Sequence, residues 1–507
     1  MNTTSRTINS LRNAAFGIGN QTVNLVLNFI SRYVFIRILG VEFLGINSLF
    51  TSVLTILSLA DLGLSTAISY SFYKPLAEKN YEKVYQLLDF YKVIYRVIAL
   101  VVCVIGVSLI PFLQWIVKSE IPLEKIRLYY LFFLANTVAS YLFVYKATLL
   151  SADQRGYISS LISSVVSALK IVLQILVVSL WKSYVAYLIV LVICTIINNL
   201  LCVHQVSKIY SFDEYKGKKL SKTEKYDIFK SVKAVFLYKL SGILINSTDN
   251  ILISSIVNTV AVGYYTNYNM ISTTLQNFVG TFFSSFTASI GNLINRDSAE
   301  KSYNIFSTLQ FCSFWLSGII SLDFYFLIND FIKIWLGREF VCEPGLLIAI
   351  TLNFYLSIIL QPLWSYREAT GLFMKIQRIM FMCAIVNLVV SCLLGAFYGT
   401  TGIIIASAIA RVTTYYWYEP KLLFHEHFKK PVRPYFRAQM INFIFVLAIG
   451  FILQNILHNF IVNGWITWVM KAVATTIIVF AAYVIKDFRK SEMKILIKAF
   501  KNKVLRK

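Results

Sequence analysis

Ten residues of this chain could do charge chemistry inside segments otherwise too apolar to tolerate charge. Seven are cations, Arg32, Arg37, Arg96, Lys146, Lys170, Lys239 and Arg411, and three are carboxylates, Asp61, Asp249 and Asp323. Arginine and lysine hold phosphate-type anions through short, charge-assisted hydrogen bonds. At about 1.5 Å of rise per helical residue, Lys146 and Lys239 lie within roughly 8 Å of one membrane edge. Lys170 and Arg411 fall near the midplane and Arg32 nearer the other edge, so the cations form a ladder in depth. Lys146, Lys239 and Arg96 are close enough to the headgroups to snorkel, and Arg37 belongs to the interface. Lys170 and Arg411 are harder to place that way. A cation at the bilayer centre costs at least ~2.5–3.5 kcal/mol even on the permissive insertion scale, so these two are expected to face an aqueous cavity. Such a cavity calls for an anionic cargo; a carrier of cations would line it with carboxylates instead.

Two of the carboxylates are candidates for a gate or coupling switch. Asp249 stands in "NSTDNILISS", and an internal repeat sets it over Ser31, next to Arg32. Two readings stand: an Arg32–Asp249 ion pair across two lobes that forms in one state and breaks in another, or a local polar contact within one helix. Asp61, in "LADLGL", either joins such a switch or caps and kinks a helix before Gly63. The other chemistry-bearing residue types form nothing. The seven cysteines lie singly, with no CxxC pattern, and "HEH" at 425–427 sits in a basic loop and reads as solvated surface. No disulfide framework, metal site or cofactor is expected.

The elements that position these charges are membrane-crossing helices. Only 14% of the 507 residues are charged and 57% are hydrophobic, against about 25% charged in soluble domains. Apolar runs of about 20 residues, enough to span a bilayer, recur from end to end. Fourteen spans are expected, near 13–37, 43–70, 91–117, 128–150, 157–180, 184–206, 234–257, 262–292, 304–328, 344–366, 378–398, 402–419, 437–457 and 466–485. The fold class is therefore all-α and polytopic. With the N-terminus inside, 34 of the 48 Lys and Arg fall in the tails and inward loops and seven in or beside outward loops. That asymmetry fits the positive-inside rule and puts both termini in the cytoplasm of a multi-pass cell-membrane protein. The net charge of +24 is accounted for by orientation and by anionic lipid headgroups, and nucleic acid is not an expected partner. Arg6 and Arg12 precede the first apolar run, but no small-residue cleavage site follows it, so no signal peptide is expected.

The chain is also duplicated. "AEKNY" (77–81) and "AEKSY" (299–303) follow the second and eighth spans at an offset of 222, which also superposes "AT" at 147–148 on "AT" at 369–370. Gly45 matches Gly263, and Asn28 matches Asn246, at an offset of 218, the offset that sets Asp249 over Ser31. Six spans per repeat is an even number, so the repeats are parallel, related by an axis along the membrane normal. The expected organisation is an N-terminal lobe at 1–206 and a basic cytoplasmic linker at 207–233. A C-terminal lobe at 234–420 and a basic loop at 421–436 follow, then two extra helices at 437–485 and a basic tail at 486–507. Two pseudo-symmetric six-helix lobes around a central cavity imply a transporter. The loops argue against an enzyme. Outward loops are short, their carboxylates form no DxD-like pair, and no phosphate-binding Gly-rich motif precedes a soluble helix.

"RILGVEFLGINSLFTSVLTILSLADLGLSTAISYSFYKPLAEKN" (37–80) resembles the N-terminal signature of bacterial polysaccharide transporters, the Wzx-like flippases. "LLSADQRGYISS" (149–160), "STDNILISS" (247–255), "VGYYTNYNMI" (262–271), "IWLG" (334–337) and "REATGLF" (367–373) look like later motifs of that family, in order along nearly the whole chain. The family shares the multidrug/oligosaccharidyl-lipid/polysaccharide superfamily with MurJ and the MATE exporters. The resemblance implies two lobes rocking between inward-open and outward-open states. Its implied cargo is an undecaprenyl-pyrophosphate-linked oligosaccharide, moved from the cytoplasmic to the outer leaflet for capsule, exopolysaccharide or O-antigen synthesis. The implied partners are the polymerase and glycosyltransferases of the same pathway. It also implies functionally needed cations in the cavity, which here match Arg32, Lys170, Lys239 and Arg411, with Lys146 beside them. MurJ-type sites carry an Arg-Asp pair on the first helix; here Arg32 is followed by Tyr33, which argues against a peptidoglycan precursor. Two alternatives stay open: a MATE-like small-molecule exporter, which would need acidic cavity residues, and a membrane-embedded polysaccharide polymerase or transferase, which would turn over sugar donors.

Overall fold

The computed structural model describes residues 25–58, 64–215, 217, 219–296 and 298–494, and all regular structure among them is helical. In chain order the helices are α1 (25–39), α2 (Val41–Leu57), α3 (Leu64–Ala77), α4 (Tyr81–Ser108), α5 (Leu113–Ile116), α6 (Leu123–Tyr141), α7 (Val144–Ala152), α8 (Gly156–Trp181), α9 (Tyr184–Ile209) and α10 (Lys222–Leu252). They continue as α11 (Thr259–Ser284), α12 (Thr287–Arg296), α13 (Ala299–Trp335), α14 (Pro344–Ile359), α15 (Gln361–Thr370), α16 (Phe373–Thr413), α17 (Tyr415–Leu423), α18 (Arg433–Leu457) and α19 (Trp465–Asp487). Helix is the only open form that closes every backbone hydrogen bond inside a lipid layer, so a chain this apolar has little alternative.

Local chemistry sets the helix ends. The Asn80 and Ser298 side chains accept from the Lys83 and Lys301 amides at the starts of α4 and α13. Ser221 and Glu224 form a reciprocal capping box at the start of α10, and the Lys83 ammonium also pairs with Glu224. These contacts satisfy amides that the first helical turn leaves open.

Among the described residues, eight helical runs are long and apolar enough to cross a membrane, or ten if two bent pairs each count as one span. The bent pairs are α6–α7, at 43°, and α14–α15, at 44°. They occupy the expected fourth and tenth spans, and their break points, Leu142 and Leu360, are related by the same offset as Gly45 and Gly263. One of the eight runs holds two passes. At Gly399 (φ 56°) α16 turns back on itself. Its arms are joined by Asn387 Nδ2 donating to Ser407 Oγ at 2.9 Å and Ser391 Oγ to the Ile403 carbonyl at 3.5 Å. A side chain at Gly402 would collide with the Leu394 carbonyl, so the hairpin depends on that glycine. The expected eleventh and twelfth spans are these two arms. The first expected span is described only from residue 25, and the second is divided between the 17-residue α2 and α3.

The described residues form two compact units, one ending at Gly263 and the other beginning at Tyr264. In the first, α8 and α9 pack side by side, α6 lies against α9 and α4, and α10 packs on α2 and α3. Gly45 and Gly263 make a reciprocal contact: a Cβ on Gly45 would strike the Thr259 carbonyl, and one on Gly263 the Val41 carbonyl. Val41 and Thr259 are also 218 residues apart, the same separation as Gly45 and Gly263. In the second unit the 37-residue α13 is the central post, flanked by α14, α18 and α19.

Candidate functional site

A cavity of about 610 Å³ opens inside the first unit, within the size range of small-ligand sites. Each of its five helices contributes residues at helical spacing, which gathers them onto one face. Asn28 and Ser31 come from α1, and Asn47, Thr51, Leu54 and Thr55 from α2. Phe133, Asn136, Thr137 and Ser140 lie on α6; Ser167, Lys170, Ile171 and Gln174 on α8; Tyr187 and Leu191 on α9. Ser58, just past α2, completes the described wall.

The wall is polar but almost uncharged. Lys170 is its one described cation, and it carries no carboxylate among the described residues. Lys170 is half-buried and has no hydrogen-bond or ion-pair partner among the described residues. An unpartnered ammonium at membrane depth is tolerated where water or a ligand can reach it, and the cavity supplies that space. The hydroxyls are oriented by their own helices. Thr51, Thr55 and Ser58 each donate at 2.7 Å to the carbonyl four residues back, Asn47, Thr51 and Leu54 respectively. Thr137 donates to the Phe133 carbonyl at 3.0 Å and Ser140 to that of Thr137 at 2.7 Å. The protons of these five hydroxyls are thus engaged, leaving their oxygen lone pairs free to accept, while the Ser31 and Ser167 hydroxyls make no such bond among the described residues. Donors come from elsewhere. Thr195 donates to Asn136 Oδ1 at 2.6 Å, which leaves the Asn136 amino group without a partner among the described residues.

The remaining sequence candidates scatter. Arg32, half-buried on α1 next to the lining residue Ser31, lies within electrostatic reach of the Tyr187 phenol but is not among the described lining. Lys146, on α7, is close enough to Lys92 to feel its charge. Lys239 and Asp249 are half-buried on α10 and each has an interaction partner. Next to Asp249, Asn250 Nδ2 donates to Ser52 Oγ at 2.9 Å and ties α10 to α2. Arg411 belongs to the second unit, where its Nη1 donates to Ser357 Oγ at 2.8 Å. Asp323 accepts from Thr476 Oγ1 at 2.8 Å. Asp61 lies outside the described residues.

The neutral polar residues of the wall were not singled out by reading charges. Their signal was present: Asn47, Thr51, Thr55 and Ser58, like Asn136, Thr137 and Ser140, form polar stripes at three- and four-residue spacing inside apolar helices. Such a stripe in a spanning helix faces protein or water, because facing lipid would expose its polar atoms.

Several solved structures share this architecture. A lipid II flippase MurJ in an inward closed conformation matches with a TM-score of 0.65 at 13% identity, over 94% of this chain and 100% of that one. An inward-facing multidrug resistance MATE family transporter of the MOP superfamily matches with a TM-score of 0.57 at 13% identity, over 78% and 93%. A MOP superfamily transporter from Pyrococcus furiosus, described as having a binding pocket of reversed polarity, matches at 0.52 and 14%, over 81% and 95%. At these identities the likeness establishes the fold: a polytopic, all-helical chain of the MurJ and MATE type. No curated protein matches by sequence. The family model described as polysaccharide biosynthesis protein matches residues 10–287, more than half of the chain and every helix of the cavity wall. The helices that build the cavity therefore carry the family signature, and the chain belongs to the polysaccharide biosynthesis protein family.

Proposed function

We propose that the protein is a flippase of the bacterial cell membrane that carries a lipid-linked oligosaccharide repeat unit from the cytoplasmic to the outer leaflet. The lipid is undecaprenyl pyrophosphate and the movement is alternating access, with both termini in the cytoplasm. No bond is made or broken in the cargo, so the protein is not an enzyme. The observation that carries the reading is the cavity itself: a polar recess that, among the described residues, has one ammonium without a hydrogen-bond or ion-pair partner and no carboxylate, built on the helices that match a polysaccharide biosynthesis family. A lipid-linked sugar needs a polar passage for its head and a lipid phase for its tail. Arg32, Lys146, Lys239 and Arg411 are proposed contacts of the diphosphate during transit. Arg32 with Asp249, and Asp61, are proposed to couple that passage to conformational change. The absence of described wall carboxylates disfavours a MATE-like exporter of cationic drugs.

The test is reconstitution into proteoliposomes with lipid-linked oligosaccharide extracted from a strain lacking its flippase. The expected result is protein-dependent exposure of the glycan to an external glycosidase. A preparation that leaves the glycan inside, yet moves a soluble cationic dye, would establish the exporter reading instead.

A further inference from the structure

Which part of such a cargo the cavity holds can be argued from its hydrogen-bonding inventory. A diphosphate offers acceptors and negative charge only. The Thr51, Thr55, Ser58, Thr137 and Ser140 hydroxyls have their protons committed to helix carbonyls at 2.7 to 3.0 Å, so their oxygens turn lone pairs toward whatever enters. Acceptor meeting anionic acceptor is repulsive, and one ammonium cannot balance a group that carries at least two negative charges. A sugar hydroxyl is donor and acceptor at once. It can donate to these oxygens and accept from the Asn136 amino group and the Lys170 ammonium, both without partners among the described residues. Phe133 and Tyr187 also line the wall, packed against Phe50 and Tyr184 respectively.

We propose that this cavity is a carbohydrate site that reads the glycan of the cargo, with the diphosphate held elsewhere, and that Thr51, Asn136 and Lys170 set its specificity. The proposal rests on the flippase reading for the identity of the cargo, but it makes a separate claim about which chemical group binds where. Lys170 acts here as a three-proton donor to hydroxyls, in a wall that offers both accepting and donating neutral groups, rather than as a clamp on phosphate.

Binding to the purified full-length protein in nanodiscs separates the two. The probes are the phosphate-free oligosaccharide released by mild acid from the lipid-linked pool, farnesyl diphosphate, and inorganic pyrophosphate. The parent is expected to bind the phosphate-free glycan. Thr51→Val with Asn136→Leu should weaken that binding at least tenfold while changing farnesyl diphosphate binding less than twofold. Lys170→Gln should weaken glycan binding and leave pyrophosphate binding as in the parent. These substitutions remove groups that face the cavity, and a preserved unfolding midpoint checks that each variant folds. The proposal is overturned if the glycan does not bind the parent, or if the variants lower diphosphate binding as much as glycan binding. If reconstituted flipping succeeds while either result is obtained, the site assignment alone is wrong. If flipping itself fails, the functional reading falls, and the glycan-binding result still decides the chemistry of the cavity.

Discussion

The two units use their polar side chains in different ways. In the first, polar residues from α1, α2, α6, α8, α9 and the residue after α2 surround open space, and the one charge among them has no described partner. In the second, several polar groups close on one another, although Arg367 Nε, Arg411 Nε and one carboxylate oxygen each of Asp323 and Asp487 find no hydrogen-bond partner among the described residues. The Arg367 Nη1 reaches both oxygens of Glu419, at 3.3 and 3.4 Å, with Glu419 only 1% exposed. Asn442 receives the Tyr483 hydroxyl and the Lys486 ammonium at 3.0 and 3.1 Å and donates to Tyr355 at 3.1 Å. Down the α13–α19 seam, Trp468 donates to the Leu327 carbonyl at 3.0 Å, Lys471 to Asp330 at 2.7 Å, Thr476 to Asp323 at 2.8 Å and Trp315 to Asp487 at 2.8 Å. A buried polar group is stabilising only when its partners are in place. Polar groups that border open space therefore mark a place for a ligand, and polar groups that meet across two helices mark a joint. Such joints hold α19 on α13, and α18 on α14 and α19.

The strongest attack on this contrast is to open a joint. Glu419→Ala removes the buried carboxylate that compensates Arg367, and breaking a buried pair from one side costs about 3–5 kcal/mol. A lower thermal unfolding midpoint is expected, with transport per folded molecule retained. Transport lost at unchanged stability would move this pair into the working site and erase the distinction between units.

Lys170→Gln should do the reverse. It is expected to cut glycan flipping at least tenfold, about 1.4 kcal/mol, with unchanged abundance in the membrane. The unfolding midpoint should hold or rise, because no described partner is abandoned and a membrane-depth charge is removed. A lower midpoint with flipping intact would make Lys170 structural.

The proposed Arg32–Asp249 coupling sharpens the first unit. Single substitutions Arg32→Gln and Asp249→Asn should each impair flipping. The swap Arg32→Asp with Asp249→Arg should recover part of it, with a coupling energy of about 0.5–3 kcal/mol for interacting residues. Additive losses without rescue would leave Asp249 as a contact within its own helix.

The smallest effect is expected outside the membrane, where Lys83 and Ser221 hold Glu224 at the start of α10. The Lys83 hydrogen bond chiefly lowers the Glu224 pKa below its usual 4.5. A carboxylate depressed in the folded state adds stability that is present above pH 4.5 and lost as pH falls through the folded value. Because the Glu224 side chain is 41% exposed, solvent screening keeps the contribution under about 1 kcal/mol. Proteolysis of the segment 211–221 should therefore quicken modestly below pH 4.5 and with added salt at neutral pH. A cleavage rate indifferent to both would show that the clasp does not hold the linker.

Hydropathy and repeat spacing by themselves determined that this is a helical, polytopic chain, because each spanning helix satisfies its backbone within its own sequence. The hairpin at Gly399 was legible as two adjacent spans. The equal bends after α6 and α14 were not, since a bend depends on what packs at the break; only the second has a proline beside it, at Pro362. For the site, residue type and depth alone singled out Lys170, as the cation hardest to accommodate in lipid. The same criterion treated Arg411 alike; in the fold its Nη1 meets Ser357 on α14, while its Nε has no hydrogen-bond partner among the described residues. Likewise Thr51, Asn136 and Lys170 stand on three separate helices, α2, α6 and α8, and only packing brings their stripes around one space. Charge and periodicity are properties of a segment and can be read along it. Whether a polar face meets a partner or a void depends on segments far away in the chain, and that was decided by the fold.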